Sequence, residues 1–247
     1  MVSKKLYNNK FYDSTADRSV LAARVVSPLL FEIFKNPRSI LDVGCGDGVW
    51  LSEIIKKWNF QEIAAIDAPT SNFRYLSGNP EVKIIRQDFE SNSSLPQNSF
   101  DIVLCLEVLE HLNEKTSLEV ANELSRAKLL LFSAATPGQG GTGHINERPH
   151  QYWHQFFTSK GMLKVDCVRP QIKSQIGIPK YYKNNIFVYL NLSELHTDRF
   201  DLNYLLKNSN LVDNDFRDFT TKSLHRILSL VPPRLVSFFA KVKNELF

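Results

Sequence analysis

The sequence is poor in glycine, cysteine and long apolar runs. Its 247 residues include 10 glycines and three widely separated cysteines, Cys45, Cys105 and Cys167, which match no metal-binding spacing. An odd number of scattered cysteines argues against a disulfide framework and favours a reducing compartment. No stretch reaches the ~20 apolar residues that span a bilayer, and the first residues lack an apolar signal core. These absences predict a soluble, cytoplasmic protein.

A dominant charge is also missing. The formal net charge is +4 at pH 7, from 30 Lys and Arg residues against 26 Asp and Glu residues. Nucleic-acid-binding proteins usually cluster their basic residues, and no basic run with interleaved aromatic residues marks an RNA track here. Nucleic acid is therefore disfavoured as a partner, and a small-molecule or glycan substrate is favoured.

Short apolar segments alternate with amphipathic segments through the middle of the chain. Strands are predicted at residues 39–43, 62–67, 82–88, 100–106 and 128–134. Near-continuous apolar strands separated by helices indicate a parallel sheet that is covered on both faces. Residues 164–170 and 184–190 are predicted as a closing antiparallel pair. The expected fold class is α/β: a doubly wound, Rossmann-like, mostly parallel seven-stranded sheet with a C-terminal helical extension.

The composition divides the chain into three parts. Residues 1–18 are polar with interleaved aromatic residues and are predicted as an arm or lid, residues 19–190 hold the alternating pattern, and residues 191–247 form the extension. Near the C-terminus apolar residues recur at helical spacing, with basic residues among them. One interpretation is a helix packed on the domain or on the second subunit of a homodimer. The other is an amphipathic helix on an anionic membrane surface.

The segment LDVGCGDGVW, residues 41–50, places three glycines directly after the first predicted strand. A strand-to-helix turn with free backbone N–H groups suits an anionic or nucleotide-like ligand. The dinucleotide fingerprint G-x-G-x-x-G is not met, because Val49 stands where its third glycine would be. The pattern is instead D-x-G-x-G-x-G, beginning at Asp42.

This pattern resembles the first motif of class I S-adenosylmethionine-dependent methyltransferases, and the resemblance extends over residues 19–190. Asp67 ends the second strand, where that family binds the ribose hydroxyls, and Asp88 follows the third strand, at the position that faces the adenine. Residues 99–112, SFDIVLCLEVLEHL, are similar to the family's fourth-strand segment. The resemblance implies an enzyme that uses S-adenosylmethionine, with cofactor-binding residues Asp42, Gly44, Cys45, Gly46, Asp67, Asp88, Phe89 and Leu106. Asp42 would reach the methionine ammonium group, while Phe89 and Leu106 would flank the adenine.

The segment EVLEH, residues 107–111, carries the candidate chemistry. In a helical turn Glu107, Glu110 and His111 would share one face, just past the fourth strand, where open α/β sheets hold their ligands. Two carboxylates and an imidazole can hold a divalent cation, Mg²⁺ or Mn²⁺, and His144 after the fifth strand is a fourth candidate ligand. This quartet resembles the metal site of the small-RNA terminal-ribose 2′-O-methyltransferases.

A metal-free alternative stays open, because E-V-L-E-H also occurs in methyltransferases that use no metal. In that case Glu107 would contact the cofactor, and His111 or His144 would be the general base. Two further histidines, His150 and His154, lie four residues apart and are predicted on a solvated helix face.

The acceptor is approached through residues 137–153, PGQGGTGHINERPHQYW, which hold four of the glycines and can close over a ligand. Together with residues 23–30 and 165–170, this segment resembles a bacterial subfamily associated with glycan and natural-product gene sets. The [DN]-P-P-[YF] motif of base N-methyltransferases is absent from residues 106–109. The favoured function is O-methylation of a sugar-containing acceptor (a glycan, nucleotide sugar or glycosylated metabolite). The alternatives are a terminal ribose or catechol-like acceptor, and a non-catalytic cofactor-binding adaptor.

Overall fold

The computed structural model describes residues 9–96, 99–195 and 199–208, with side chains from residue 18 onward except at residues 202 and 206. The strands are β1 (Ser39–Val43), β2 (Glu62–Asp67), β3 (Val82–Arg86), β4 (Ile102–Leu106), β5 (Leu129–Ser133), β6 (Met162–Val165) and β7 (Phe187–Asn191). The α-helices are α1 (Asn9–Ile33), α2 (Val49–Ile55), α3 (Glu114–Leu124), α4 (His150–Ser159), α5 (Arg169–Ile172), α6 (Lys180–Asn185) and α7 (Leu202–Asn208).

The strands form one seven-stranded sheet in the order β3-β2-β1-β4-β5-β7-β6. β1 to β5 run parallel, and β7 is antiparallel to both β5 and β6. This confirms the predicted doubly wound, mostly parallel sheet. The strand order reverses between β1 and β4, and the crevice outside the carboxyl ends of strands at such a switch point is where open α/β sheets bind ligands.

Helices cover both faces of the sheet and enclose two apolar clusters. On one face α1 packs its small and branched residues, among them Ala22, Ala23 and Val26, against alternate residues of the strands. On the other face Val120 of α3 and Trp153 of α4 pack in the second cluster. The central strands are buried on both faces, which explains why their sequences are apolar without alternation.

The structure can be compared with the two predicted boundaries between parts of the chain. α1 begins at Asn9, so the boundary predicted between residues 18 and 19 falls inside a helix. At the other end Phe200 packs edge-on against Phe34, with ring centroids 4.8 Å apart, and Asp201 pairs with Lys35. The apolar C-terminal segment lies outside the described residues. Across the described ranges, no helix combines the length with the hydropathy that a membrane span requires.

A charged network ties together the amino-terminal edge of the sheet. Asp101, whose side chain is 5% exposed, accepts hydrogen bonds from Arg199 at 2.6 and 2.9 Å and from the backbone N–H of Arg38 at 2.6 Å. Lys128 Nζ lies 3.0 Å from the same carboxylate. Burial alone would raise the pKa of Asp101, but the hydrogen bonds from Arg199, Arg38 and Lys128 outweigh it and hold the pKa below its ordinary value.

Replacing Asp101 by Asn is expected to lower the free energy of unfolding by about 2 kcal/mol, because its cationic partners lose their charge partner. Since the folded-state pKa is depressed, this stabilisation is present above the unfolded-state value of about 4 and disappears as the pH falls below it. Urea unfolding at neutral and acidic pH measures both effects. Glu119→Gln, in the exposed pair with Lys115, is the control and should cost less than about 0.5 kcal/mol. Equal losses in the two variants would contradict the assignment.

Candidate active site

The turn after β1 is shaped by glycines with left-handed backbone angles. Gly44 and Gly48 have φ angles of 72° and 84°. A Cβ atom on Gly44 would lie 2.4 Å from Val108 Cγ2, and one on Gly48 would lie 2.3 Å from Leu76 Cγ. Side chains are therefore excluded at both positions by conformation and by packing. The contact with Val108 places this turn directly beside the EVLEH segment.

Asp42 is a buried acid in β1, just before that turn. Its residue is 4% exposed, and its Oδ2 atom has no hydrogen-bond partner. Burial, with a smaller contribution from the charge of Asp67, raises the pKa of Asp42 to about 8. A buried carboxyl oxygen without a donor fits a cationic ligand group, such as the ammonium of a methionine moiety.

Asp67 joins the end of β2 to the glycine turn. Its Oδ2 accepts a hydrogen bond from Gly46 N at 2.6 Å, and its Oδ1 accepts hydrogen bonds from Ala68 N at 2.6 Å and Ser71 Oγ at 2.5 Å. Burial raises the pKa of Asp67, and these hydrogen bonds only partly oppose it. The carboxylate is thus held in place at the position predicted for ribose binding.

The remaining predicted cofactor residues lie at the same edge of the sheet. Asp88 is exposed and its Oδ1 accepts a hydrogen bond from Glu90 N at 3.0 Å, while Phe89 is buried in the second apolar cluster. Leu106 packs against the other cluster, so these two side chains approach from opposite faces of the sheet. Cys45 is half-buried, and burial raises the pKa of its thiol. Their contacts with adenine stay predictions.

Three of the four predicted metal ligands come together. Glu110, His111 and His144 each offer a ligand atom, and these atoms lie within 4.8 Å of one another. The rings of His111 and His144 meet edge-to-face with centroids 4.8 Å apart. Glu110 is fully buried, with Oε1 accepting a hydrogen bond from Ala135 N at 3.1 Å. Burial, and then the charge of Glu107, raise the pKa of Glu110 well above its ordinary value.

Glu107 lies outside this cluster. The 3-10 turn covers only Leu109–His111, and Glu107 precedes it with a φ angle of 56°, so the single helical face expected for EVLEH does not form. The Glu107 carboxylate instead accepts hydrogen bonds from Gln139 Nε2 at 2.9 Å and from Asn185 Nδ2 at 3.3 Å.

The two histidines of the cluster differ in their surroundings. Burial, followed by the neighbouring His144, lowers the pKa of His111 to about 4. His144 Nδ1 lies 2.9 Å from Glu147 Oε1, an arrangement in which Nδ1 carries the proton and Nε2 keeps its lone pair. Glu147 also accepts hydrogen bonds from the backbone of Gly138 at 2.8 Å and Gly140 at 2.7 Å. One carboxylate therefore fixes both His144 and the loop that carries it.

The solvated face predicted for His150 and His154 is wrong. α4 packs on β6 and β7, which brings both rings against Phe187, with centroids 5.0 and 4.5 Å away. His154 is 6% exposed, and its Nδ1 pairs with the Tyr189 hydroxyl. Burial, with nearby Lys164, lowers the pKa of His154 to about 2, so this imidazole is neutral.

Four polar residues of the site were not identified from the sequence: Ser71, Gln139, Glu147 and Asn185. Gln139 and Asn185 act on Glu107 through contacts between separate segments, which no spacing pattern in the chain marks. Ser71 and Glu147 act locally, four and three residues from Asp67 and His144. Of these residues, Glu147 has the clearest sequence signal: it lies three residues after His144, and a carboxylate close to a candidate ligand histidine often orients that histidine.

Comparison with known proteins assigns residues 14–159 to the family described as a methyltransferase domain. This match covers more than half of the chain, so the chain belongs to that family. A ubiquinone biosynthesis O-methyltransferase of Paracidovorax citrulli is 29% identical over 87 residues, which are 33% of this chain and 36% of the relative. The match thus spans about a third of that curated relative.

Solved structures share the fold at low sequence identity. An amino pentose methyltransferase from Micromonospora echinaspora, solved with bound S-adenosylmethionine, has a TM-score of 0.55 and 14% identity, covering 73% of this chain and 96% of that one. A sugar N-methyltransferase from Streptoalloteichus has a TM-score of 0.56 and 14% identity, covering 74% and 92%. An O-methyltransferase family protein from Burkholderia thailandensis has a TM-score of 0.55 and 15% identity, covering 73% of this chain and 58% of that one. The described domain is a class I, S-adenosylmethionine-dependent methyltransferase domain.

Gly44→Ala is expected to abolish binding of S-adenosylhomocysteine and to destabilise the fold by more than about 2 kcal/mol, because a left-handed φ is combined with a clash against Val108. Gly78→Ala is the matched control: its φ is 94°, but no atom lies near its Cβ position. That variant should lose only about 1 kcal/mol and keep its affinity. Thermal unfolding and calorimetric titration compare the two, and similar behaviour would show that the close approach to Val108 is unimportant.

The affinity for S-adenosylhomocysteine is expected to rise from about pH 6 to about pH 8 and then level off. Asp42, with a pKa of about 8, is protonated in the free protein at neutral pH, while a ligand ammonium favours the carboxylate, so binding releases a proton. Isothermal titration across this range measures the slope. Asp42→Asn should remove the slope, whereas Asp88→Asn should keep it. A wild-type affinity that is flat across this range would rule out the contact.

Proposed function

We propose that this chain transfers the methyl group of S-adenosylmethionine to a hydroxyl of a sugar-containing acceptor, with a divalent cation held by Glu110, His111 and His144. The observation that carries the proposal is the convergence of these three side chains, within 4.8 Å, at the switch-point crevice beside the glycine turn. A set of donor atoms that could hold a cation would therefore lie next to the expected position of the methyl donor.

The donor side of the site rests on Asp42, Asp67 and the glycine turn. S-adenosylmethionine, when bound, supplies an electrophilic methyl group on a positively charged sulfur. The unpartnered Oδ2 of Asp42 fits the ammonium group of the methionine moiety. Asp67, which is held by Gly46 and Ser71, would accept hydrogen bonds from the ribose hydroxyls. In-line attack requires that water be excluded from this crevice, and residues 136–147, which connect β5 to α4, supply a cover.

The acceptor side rests on the cluster. A carboxylate with two imidazoles is a poor match for Mg²⁺, which prefers oxygen ligands, and is typical of first-row transition metals. Of the two cations predicted, Mn²⁺ is therefore the better fit. A divalent cation held there would lower the pKa of an adjacent acceptor hydroxyl and favour acceptors with neighbouring hydroxyl groups. Sugars carry such groups, and two of the structural neighbours are described as an amino pentose methyltransferase and a sugar N-methyltransferase, so their names support a sugar substrate and leave the accepting atom open.

Among the histidines, His144 is the better proton acceptor. The depressed pKa of His111, about 4, makes it a weak base at neutral pH, although the neutral ring can still ligate a cation. His144 is oriented by Glu147 through Nδ1, so Nε2 is the atom that would ligate a cation. In the metal-free alternative the same Nε2 would instead take the proton of the acceptor hydroxyl.

A second candidate acceptor is a terminal ribose or a catechol-like metabolite. Either one presents two neighbouring hydroxyls to the same cluster, and the Paracidovorax citrulli relative is described as an O-methyltransferase. The donor side would be unchanged, so only the acceptor distinguishes this candidate from the sugar.

Methyl transfer is expected to require Mn²⁺ and to fall at least about 100-fold in His111→Ala and Glu110→Gln. Release of S-adenosylhomocysteine measures turnover on saccharides, terminal-ribose RNA and catechols, with and without chelator. Titration with Mn²⁺ alone should show binding to the wild type and to the exposed control Glu119→Gln, but not to His111→Ala. Turnover that survives chelation would contradict the proposed requirement for a cation. Activity confined to RNA or catechols would contradict the proposed sugar acceptor.

A further inference from the structure

Three side chains from separate segments form a closed hydrogen-bonded ring beside the cluster. Gln139 Nε2 donates to Glu107 Oε2 at 2.9 Å, and Asn185 Nδ2 donates to Glu107 Oε1 at 3.3 Å. Asn185 Nδ2 also donates to Gln139 Oε1 at 2.8 Å. The ring therefore joins the end of β4, the glycine-rich loop and the end of α6. We define these three residues as the Glu107 ring.

The orientation of Asn185 is fixed by its neighbours. The residue is 2% exposed, so its amide is not free to exchange partners with water. Its Nδ2 faces two acceptor oxygens, and its Oδ1 lies 3.1 Å from His150 Nε2, which must then be the donor. His150 of α4 thus fixes the oxygen of the buried amide, and the amide nitrogen donates toward Glu107 and Gln139.

Glu107 is a residue that needs such support. Its left-handed φ of 56° is a strained backbone conformation for a glutamate, and its carboxylate lies close enough to Glu110 to help raise the pKa of that neighbour. Its backbone N–H donates to Ser133 O at 2.9 Å, which ties the main chain but not the carboxylate. The two amides hold one carboxylate oxygen each and so fix the direction of the Glu107 side chain beside Glu110.

Gln139 differs from Asn185 in exposure. It lies in the glycine-rich loop, is exposed, and bridges from that loop to Glu107 and Asn185 on the facing wall. Glu147, by contrast, binds Gly138 and Gly140 within the loop itself. Opening the loop breaks the Gln139 bonds and leaves the Asn185 bond to Glu107 intact.

We propose that Asn185 and Gln139 are positioning residues for Glu107, and that Gln139 latches the glycine-rich loop over the acceptor crevice. The consequence for turnover rests on the proposed methyl transfer, whereas the latch does not. Asn185 keeps the Glu107 carboxylate facing the acceptor in both loop states. Gln139 couples loop closure to the same carboxylate, so the crevice is closed only while Glu107 is held.

Hydrogen exchange of residues 136–146, in protein bound to S-adenosylhomocysteine, tests the latch directly. Gln139→Ala and Asn185→Ala are expected to speed exchange by about tenfold at the Ile145 and Asn146 amides, which donate to Glu110 O and so join the loop to the facing segment. Tenfold is the loss expected for a hydrogen bond to a charged group. Asn184→Ala, at the exposed neighbouring position, should leave exchange unchanged. Gln139→Glu is isosteric and cannot donate to Glu107, so it should open the loop as Ala does.

Unchanged exchange in the folded Gln139→Ala and Gln139→Glu variants would overturn the latch. Both substitutions lie on an exposed loop, so they test the latch even if Asn185→Ala fails to fold.

With an acceptor that the enzyme methylates, Asn185→Ala is expected to lower kcat about tenfold with little change in KM, and Gln139→Ala is expected mainly to raise KM. Equal effects on both constants in both variants would overturn the positioning role. If no acceptor is methylated, the proposed function is contradicted, but hydrogen exchange still tests whether Gln139 latches the loop.

Discussion

The close approach of the first glycine turn to Val108 is the constraint on which the site depends. Because Gly44 has no side chain, the end of β1 can lie against the segment that follows β4, and the methyl-donor motif becomes the neighbour of the acidic and imidazole residues. The Asp67 carboxylate adds a second tie by accepting the Gly46 N–H. Backbone packing thus brings together the two segments that carry the donor and acceptor sides of the proposed site.

The fold was predictable from the sequence because its determinants are local. Buried parallel strands have apolar sequences, and the glycines and acids at their ends follow one another in a fixed order. The predicted positions of Asp42, Gly44 and Asp67 at the strand ends therefore agree with the structure. Glu110, His111 and His144 were also predicted to converge, because the carboxyl ends of neighbouring strands meet at one edge.

What the sequence could not supply are the contacts made between distant segments. Glu107 was placed with the cluster on the assumption of a regular helical turn, but the left-handed backbone at this residue breaks that periodicity. Its partners Gln139 and Asn185 come from a loop and a short helix whose approach is set by tertiary packing. His154 shows the same limit, since a polar residue at helical spacing gives no sign that α4 lies against β7.

The hydrogen bonds of Glu147 make the glycine-rich loop largely self-contained. Its carboxylate binds Gly138, Gly140 and His144, all within ten positions of the chain, so the shape of this part of the cover depends largely on its own residues, while Gln139 joins it to the facing wall. A segment built in this way can be exchanged between relatives as a module. Selectivity for acceptors could then diverge while the donor pocket, built from the ends of β1 and β2, stays unaltered.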